Sequence, residues 1–134
     1  MTMEMPQTRL GSNGAWLELV QAGEDSWRVT ADWCSSLSAD YTASLTRKEA
    51  ADFATRMLSH LRAPSGSRFS AAVTPGRNNP LVLSAEPVGD RFAFFVRLTP
   101  NGDDGVCHLQ MEINPIDVAE LRDIFHALYT SLVL

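Results

Sequence analysis

Apolar positions along the chain repeat with a period of two, switch to a helical period, and then do the same again. In Ser26–Trp33, Trp27, Val29, Ala31 and Trp33 share one parity, and Ser26, Arg28, Thr30 and Asp32 share the other. That is the pattern of a half-buried strand. Ala15–Val20 precedes it as another strand, ended by the turn-forming run Ala22-Gly23-Glu24-Asp25. After Cys34-Ser35-Ser36 the alternation resumes over Leu37–Leu45. At Thr46 the period changes. Thr46 is placed to cap a helix and Glu49 to reach back to the cap's N–H, a capping box. Ala50, Phe53, Ala54, Met57, Leu58 and Leu61 then form one apolar stripe, ending near Arg62.

The linker-like run Ala63-Pro64-Ser65-Gly66-Ser67 separates this unit from a second one. Four strands are expected there: Arg68–Thr74, Pro80–Glu86, Arg91–Leu98 and Val106–Ile113. They are joined by Pro75–Asn79, Pro87–Asp90 and Pro100–Gly105, each with Gly beside Pro, Asn or Asp as hairpin connections need. A helix over 114–131 follows, with Asn114 at the cap, Pro115 at the first helical position, Asp117 in the place of Glu49, and a stripe of Val118, Leu121, Phe125 and Leu128. A shift of 68 residues aligns Leu45 with Ile113, Ala50 with Val118, Phe53 with Leu121 and Met57 with Phe125.

The expected fold is therefore α+β. Residues 15–134 form a single domain of two pseudo-repeated halves, about 15–66 and 67–134, each an antiparallel meander of three or four strands followed by one helix. Helices 46–62 and 114–131 pack together on the sheet. Residues 1–14 are expected to be a loose arm, with a short strand near Thr8–Leu10. The repeat fits a duplicated unit, and fits equally a generic meander-plus-helix domain. Leu45 and Ile113 stand at the hydrophobic-staple position before the two caps, so Tyr41, Ala43, Leu109 and Met111 should face the helices. Asp40, Thr42, Ser44, His108, Gln110 and Glu112 should face water.

With 134 residues, 45% of them hydrophobic, the chain can bury roughly 68% of its unfolded surface and needs neither metal nor disulfide to fold. The net charge of −5, with eleven scattered basic residues whose longest run is Arg47-Lys48, speaks against a general nucleic-acid binder. Cys34 and Cys107 are expected as free, half-buried thiols in preference to a disulfide. The first fourteen residues lack a basic start and an apolar run, so they do not read as a secretory signal. No stretch approaches the ~20 apolar residues of a membrane span. A cytoplasmic protein is the expectation.

No catalytic signature is present: no GxSxG elbow, phosphate-binding glycine loop, CxxC or HExxH. His60, His108 and His126 are scattered, and His60 and His126 read as solvated helix-end residues, so no metal is expected. Asp103-Asp104, between glycines, reads as a turn, and nothing local activates Cys34. The chain is expected to be non-enzymatic, without a cofactor. Trp27 and Trp33 read as core. Trp16 has the opposite parity to Leu17 and Leu19, as Phe95 and Arg97 have to Phe92, Phe94 and Val96. Trp, Phe and Arg are enriched at interfaces, which makes Trp16, Phe95 and Arg97 the candidate protein-binding residues. A sheet covered on both faces, or a homodimer contact, would also account for them and is the simpler explanation.

The Trp-bearing strand Trp27–Trp33, the run SLTRKEAADFATRML with its Leu-Thr-x-x-Glu opening, PLVLSAEPVGDRFAFFVRLTP and HLQMEINPIDVAELRDIFHAL together resemble, in layout over residues 15–134, small bacterial proteins grouped with WapI-type immunity proteins. That resemblance implies a cytoplasmic non-enzyme that binds and blocks a toxin, and it supplies no binding residues. The paired halves are also similar to the Whirly-type fold, which would imply single-stranded nucleic acid as partner. The acidic balance opposes that implication. Secretion chaperones, also small and acidic, resemble the chain less, because their order begins with a helix.

Overall fold

A computed structural model of the chain describes residues 6–62, 68–73, 81–99 and 109–133. The elements are β1 (Gln7–Ser12), β2 (Ala15–Gln21), β3 (Ser26–Trp33), β4 (Leu37–Ser44), α1 (Arg47–Arg62), β5 (Phe69–Ala72), β6 (Leu81–Val88), β7 (Arg91–Leu98), β8 (Leu109–Asp117) and α2 (Val118–Val133). Each half is a four-stranded antiparallel meander followed by one helix, and the two meanders form two separate sheets, β1-β2-β3-β4 and β5-β6-β7-β8. The α+β class and the meander-then-helix halves agree with the sequence pattern; the single sheet does not. The expected linker 63–67, the turns at 75–79 and 100–105, Cys107 and His108 lie outside the described residues.

The short strand expected near Thr8–Leu10 within the arm 1–14 is present and longer, an edge strand over Gln7–Ser12. It pairs along its length with β2, from Gln7 opposite Val20 to Ser12 opposite Ala15. Leu10, 2% exposed, supplies the apolar anchor, and Asn13-Gly14 is the two-residue turn that such hairpins favour. Gly11, at φ +87°, is required: a Cβ there would lie 2.2 Å from the Ala15 carbonyl oxygen and 3.0 Å from Ile113 of β8, so the hairpin crosses the second sheet at a point where only glycine fits.

The first helix begins as its sequence dictates. The Glu49 N–H donates to Thr46 Oγ1 at 3.1 Å, and the Thr46 N–H donates to Glu49 Oε1 at 2.9 Å. The second helix starts later than expected. Asn114 and Pro115 are not its cap and first turn; β8 continues through them to Asp117. Phe92 faces Ile116 while Phe94 faces Ile113, so Asn114-Pro115 is accommodated in a register shift opposite Ala93. A proline without an N–H is tolerated on an edge strand at such an irregularity. Arg91 Nε then reaches Asp117 Oδ1 at 2.8 Å, and the Val118 N–H donates to the Asp90 carbonyl at 3.1 Å, holding the strand to its last residue.

With both helices sixteen residues long, the structural shift between halves is 71, from Arg47 to Val118. At that shift the buried Ala50, Ala54, Met57 and Leu61 fall on the buried Leu121, Phe125, Leu128 and Leu132. The helices lie antiparallel, with Phe53 and Phe125 edge-to-face at 5.7 Å between ring centroids. Each helix lends an arginine to the other's C-terminus. Arg47 Nε donates to the Leu132 carbonyl at 2.8 Å, and Arg122 donates to the Leu61 carbonyl at 2.8 Å. These bonds satisfy carbonyls that have no partner within their own helix. One continuous core joins both sheets to the helix pair, with Trp27, Phe53, Phe94 and Phe125 its largest fully buried side chains.

Candidate functional site

The inner faces of the sheets are consumed by the core, so the surfaces available to a partner are the outer faces, the hairpin tips and the grooves at the helices. Register places the outer face of the first sheet in rows across the strands: Val20 beside Arg28 and Thr42, Glu18 beside Arg9, Thr30 and Asp40, and Trp16 beside Asp32 and Ser38. Arg28 makes a two-point contact with Asp40, Nε to Oδ1 at 3.0 Å and NH2 to Oδ2 at 2.6 Å. The hydrogen bonds from Arg28 hold the Asp40 carboxyl below its ordinary range. Arg9 lies 3.6 Å from Glu18 and stacks over the Trp16 ring at 4.4 Å. On the second sheet, Arg68 pairs with Glu86 at 2.7 Å and Arg91 with Asp117 at 2.8 Å. Phe95 stands in a row with Ser84 and Glu112, and Arg97 in a row with Val82 and Gln110.

Trp16, Phe95 and Arg97 are thus all on outer faces, as their parity implied, but on two different sheets. Phe95 and Arg97 share β7, whereas Trp16 is covered by Arg9 on β1. The structure brings the last two together and leaves Trp16 with a different set of neighbours.

Trp33 was expected in the core and is 39% exposed. Its parity is that of the buried Trp27, Val29 and Ala31, but it is the last residue of β3 and lies past the edge of the packed core. Leu37, its cross-strand partner, is 47% exposed. Between them Cys34 and Ser35 take positive φ, 52° and 59°, and the Ser35 N–H donates to Asp32 Oδ2 at 3.1 Å. Cys34 is an exposed free thiol, not a half-buried one. The result is a tight, projecting tip with Trp33 and Leu37 side by side. Two features of the sequence announced it: the strand alternation ended at Trp33, and a Cys-Ser-Ser turn followed at once.

A groove runs where the β1 edge meets α2. Its larger part, about 370 Å³, is lined by Arg9, Gly11, Asn114, Pro115, Glu120 and Ile124 among others, and a second part by Gln7, Thr8, Glu18 and Ala127, with Arg9 and Ile124 shared. Thr8 is buried, and its Oγ1 has no hydrogen-bond partner among the described residues; the same holds for Trp27 Nε1 and the Tyr41 hydroxyl. His60 is not merely solvated: its ring stacks on Phe69, 4.4 Å between centroids. Among the described residues no three His, Cys, Asp or Glu side chains converge as a metal-binding group would require.

Two four-stranded antiparallel sheets, each leading into a helix, with the two helices packed together, make up the α+β fold. Of solved structures, the chain is similar to that of the plant transcriptional regulator PBF-2, at a TM-score of 0.52 and 12% sequence identity, covering 98% of this chain and 82% of that one. At that identity the likeness concerns the fold alone. It supports the Whirly-type resemblance and gives no support to the grouping with immunity proteins. No protein-family model matches the chain, and no curated protein matches it at a significant level. No helix among the described residues is long and apolar enough to cross a membrane.

Proposed function

We propose that this chain is a non-catalytic protein-binding module acting in the cytoplasm. The observation that carries the reading is the electrostatics of the outer sheet faces. Four of their arginines, Arg9, Arg28, Arg68 and Arg91, are each engaged by a carboxylate on a neighbouring strand. Binding a nucleic-acid backbone takes clustered cations that displace the counterions condensed on its phosphates, and these arginines are already paired on a chain of net charge −5. A protein partner needs exposed aromatic and aliphatic anchors with a polar rim; the Trp33–Leu37 tip is of that kind, and Phe95 is half-buried beside the exposed Arg97. A toxin is one partner of this class, and a second copy of the chain is another.

The second reading, a binder of single-stranded nucleic acid, is what the Whirly-type resemblance implies, and the likeness to PBF-2 supports that resemblance at the level of the fold alone. The two separate cleanly in solution. Labelled oligo-dT at ~150 mM salt should show no binding, because few phosphates can be neutralised by paired arginines. Binding with a steep salt slope, weakened by Phe95→Ala or Arg97→Ala, would replace the protein-binding reading with the nucleic-acid one.

A further inference from the structure

The outer surface of the helix pair differs from the sheet faces. A cleft between α1 and α2 has two connected parts, of about 410 Å³ and 230 Å³, both lined by Leu58, Arg62 and His126. Tyr129 closes one end, and Arg122 and Asp123 the other. Leu58 is half-buried and Tyr129 is 36% exposed, and the two give the floor its apolar surface beside the small polar Thr55 and Ser59. The rim is basic. Arg62 and His126 carry no ion pair among the described residues, and Arg122 spends one hydrogen bond on the Leu61 carbonyl while keeping its charge. Asp123 is the one carboxylate among the lining residues.

On the sheets of this acidic molecule Arg9, Arg28, Arg68 and Arg91 are each answered by a carboxylate. Here two guanidiniums and an imidazole surround an apolar floor with a single carboxylate against them. The shape also matters. The cleft follows the last two turns of α1, from Thr55 to Arg62, a length that an amphipathic helix covers with anchors spaced i, i+3, i+4 and i+7. We infer that this cleft is the docking site for an acidic amphipathic helix of a partner protein, its apolar side chains on Leu58 and Tyr129 and its carboxylates on Arg62, Arg122 and His126. This rests on the protein-binding reading above and gives that partner its chemistry. Charge complementarity selects it: a neutral or basic helix would meet the same floor without the rim.

The probe is a fluorescein-labelled synthetic helix of about four turns, Leu and Trp on one face and Glu on the flanks, titrated with the full chain and read by anisotropy. A second peptide replaces each Glu with Lys. The expected result is saturable binding of the Glu peptide alone. Arg62→Glu with His126→Glu should weaken it at least about tenfold and raise affinity for the Lys peptide, a swap that mere loss of packing would not produce. Tyr129→Ala should weaken it without changing the preference for Glu over Lys. Circular dichroism of each variant separates misfolding from lost contact, and Arg122 is left intact because it caps α1.

Equal binding of both peptides, displacement of the Glu peptide by oligo-dT at matched charge, or self-association that Arg62→Glu abolishes would each overturn the inference. So would failure of the Glu peptide to bind. A protein partner that engages the Trp33–Leu37 tip and is indifferent to Arg62→Glu would overturn the cleft assignment while the protein-binding reading stands. Oligo-dT binding by the sheet faces would defeat both.

Discussion

Tyr41 shows how a single side chain ties the packing to the solvent. It lies on the inner parity of β4, packed against the core, and its hydroxyl has no partner among the described residues. Burial disfavours the phenolate and pushes its pKa well above the ordinary value. In the unfolded chain Tyr41 releases its proton near pH ~10. Above that pH the folded state holds a proton that the unfolded state has lost, so stability falls as pH rises. Urea unfolding at neutral pH and at two alkaline values should show a decline above pH ~10 that Tyr41→Phe reduces. An unchanged pH dependence in the Phe variant would show that the ring is not shielded as the structure places it. Its burial was legible from strand parity alone. The exposure of Trp33 was not, because alternation gives the side a residue faces and is silent on where along the strand the core ends.

Among the elements, the two helix starts contrast a local signal with one overridden by tertiary pairing. Thr46 and Glu49 satisfy each other within four residues, so the capping box was readable and forms. Asn114-Pro115 resembles an equally good helix start, but β7 competes for the same backbone and prevails through the pairing of Phe92 with Ile116 and Arg91 with Asp117. Aligning Asn114 with Thr46 gives a shift of 68 between the halves, whereas the buried stripes coincide at 71. Thr46→Ala should therefore cost about 1 kcal/mol of stability, as lost caps do. Asn114→Ala should change stability by less than about 0.5 kcal/mol, because its side chain is exposed and caps nothing. Denaturant midpoints of the two variants, measured side by side, check both. A loss at Asn114 as large as at Thr46 would restore the earlier helix start.

On the scale of the whole molecule, the sequence pattern pointed to two similar halves in one domain with their helices packed together, but not to the contacts that join them. Nor did it reveal two sheets, since the order of a meander is the same whether its last strand joins the other meander or stops. The structure supplies what was missing: the Phe53–Phe125 contact, the reciprocal arginine caps and a single core running through both halves. Separate half-domains would each expose the apolar stripe of a helix, which disfavours independent unfolding. All three tryptophans, Trp16, Trp27 and Trp33, belong to the first sheet, so indole fluorescence reports on that half alone. Phe125 belongs to the second half. Its truncation to Ala removes a fully buried ring and should cost roughly 3–5 kcal/mol. If the halves are one cooperative unit, Phe125→Ala lowers the urea midpoint of tryptophan fluorescence as far as that of far-ultraviolet circular dichroism, and the two curves superimpose. A variant whose dichroism changes in two steps while the fluorescence midpoint stays at the wild-type value would mean that the halves fold separately and that the helix pair is a docking contact between them.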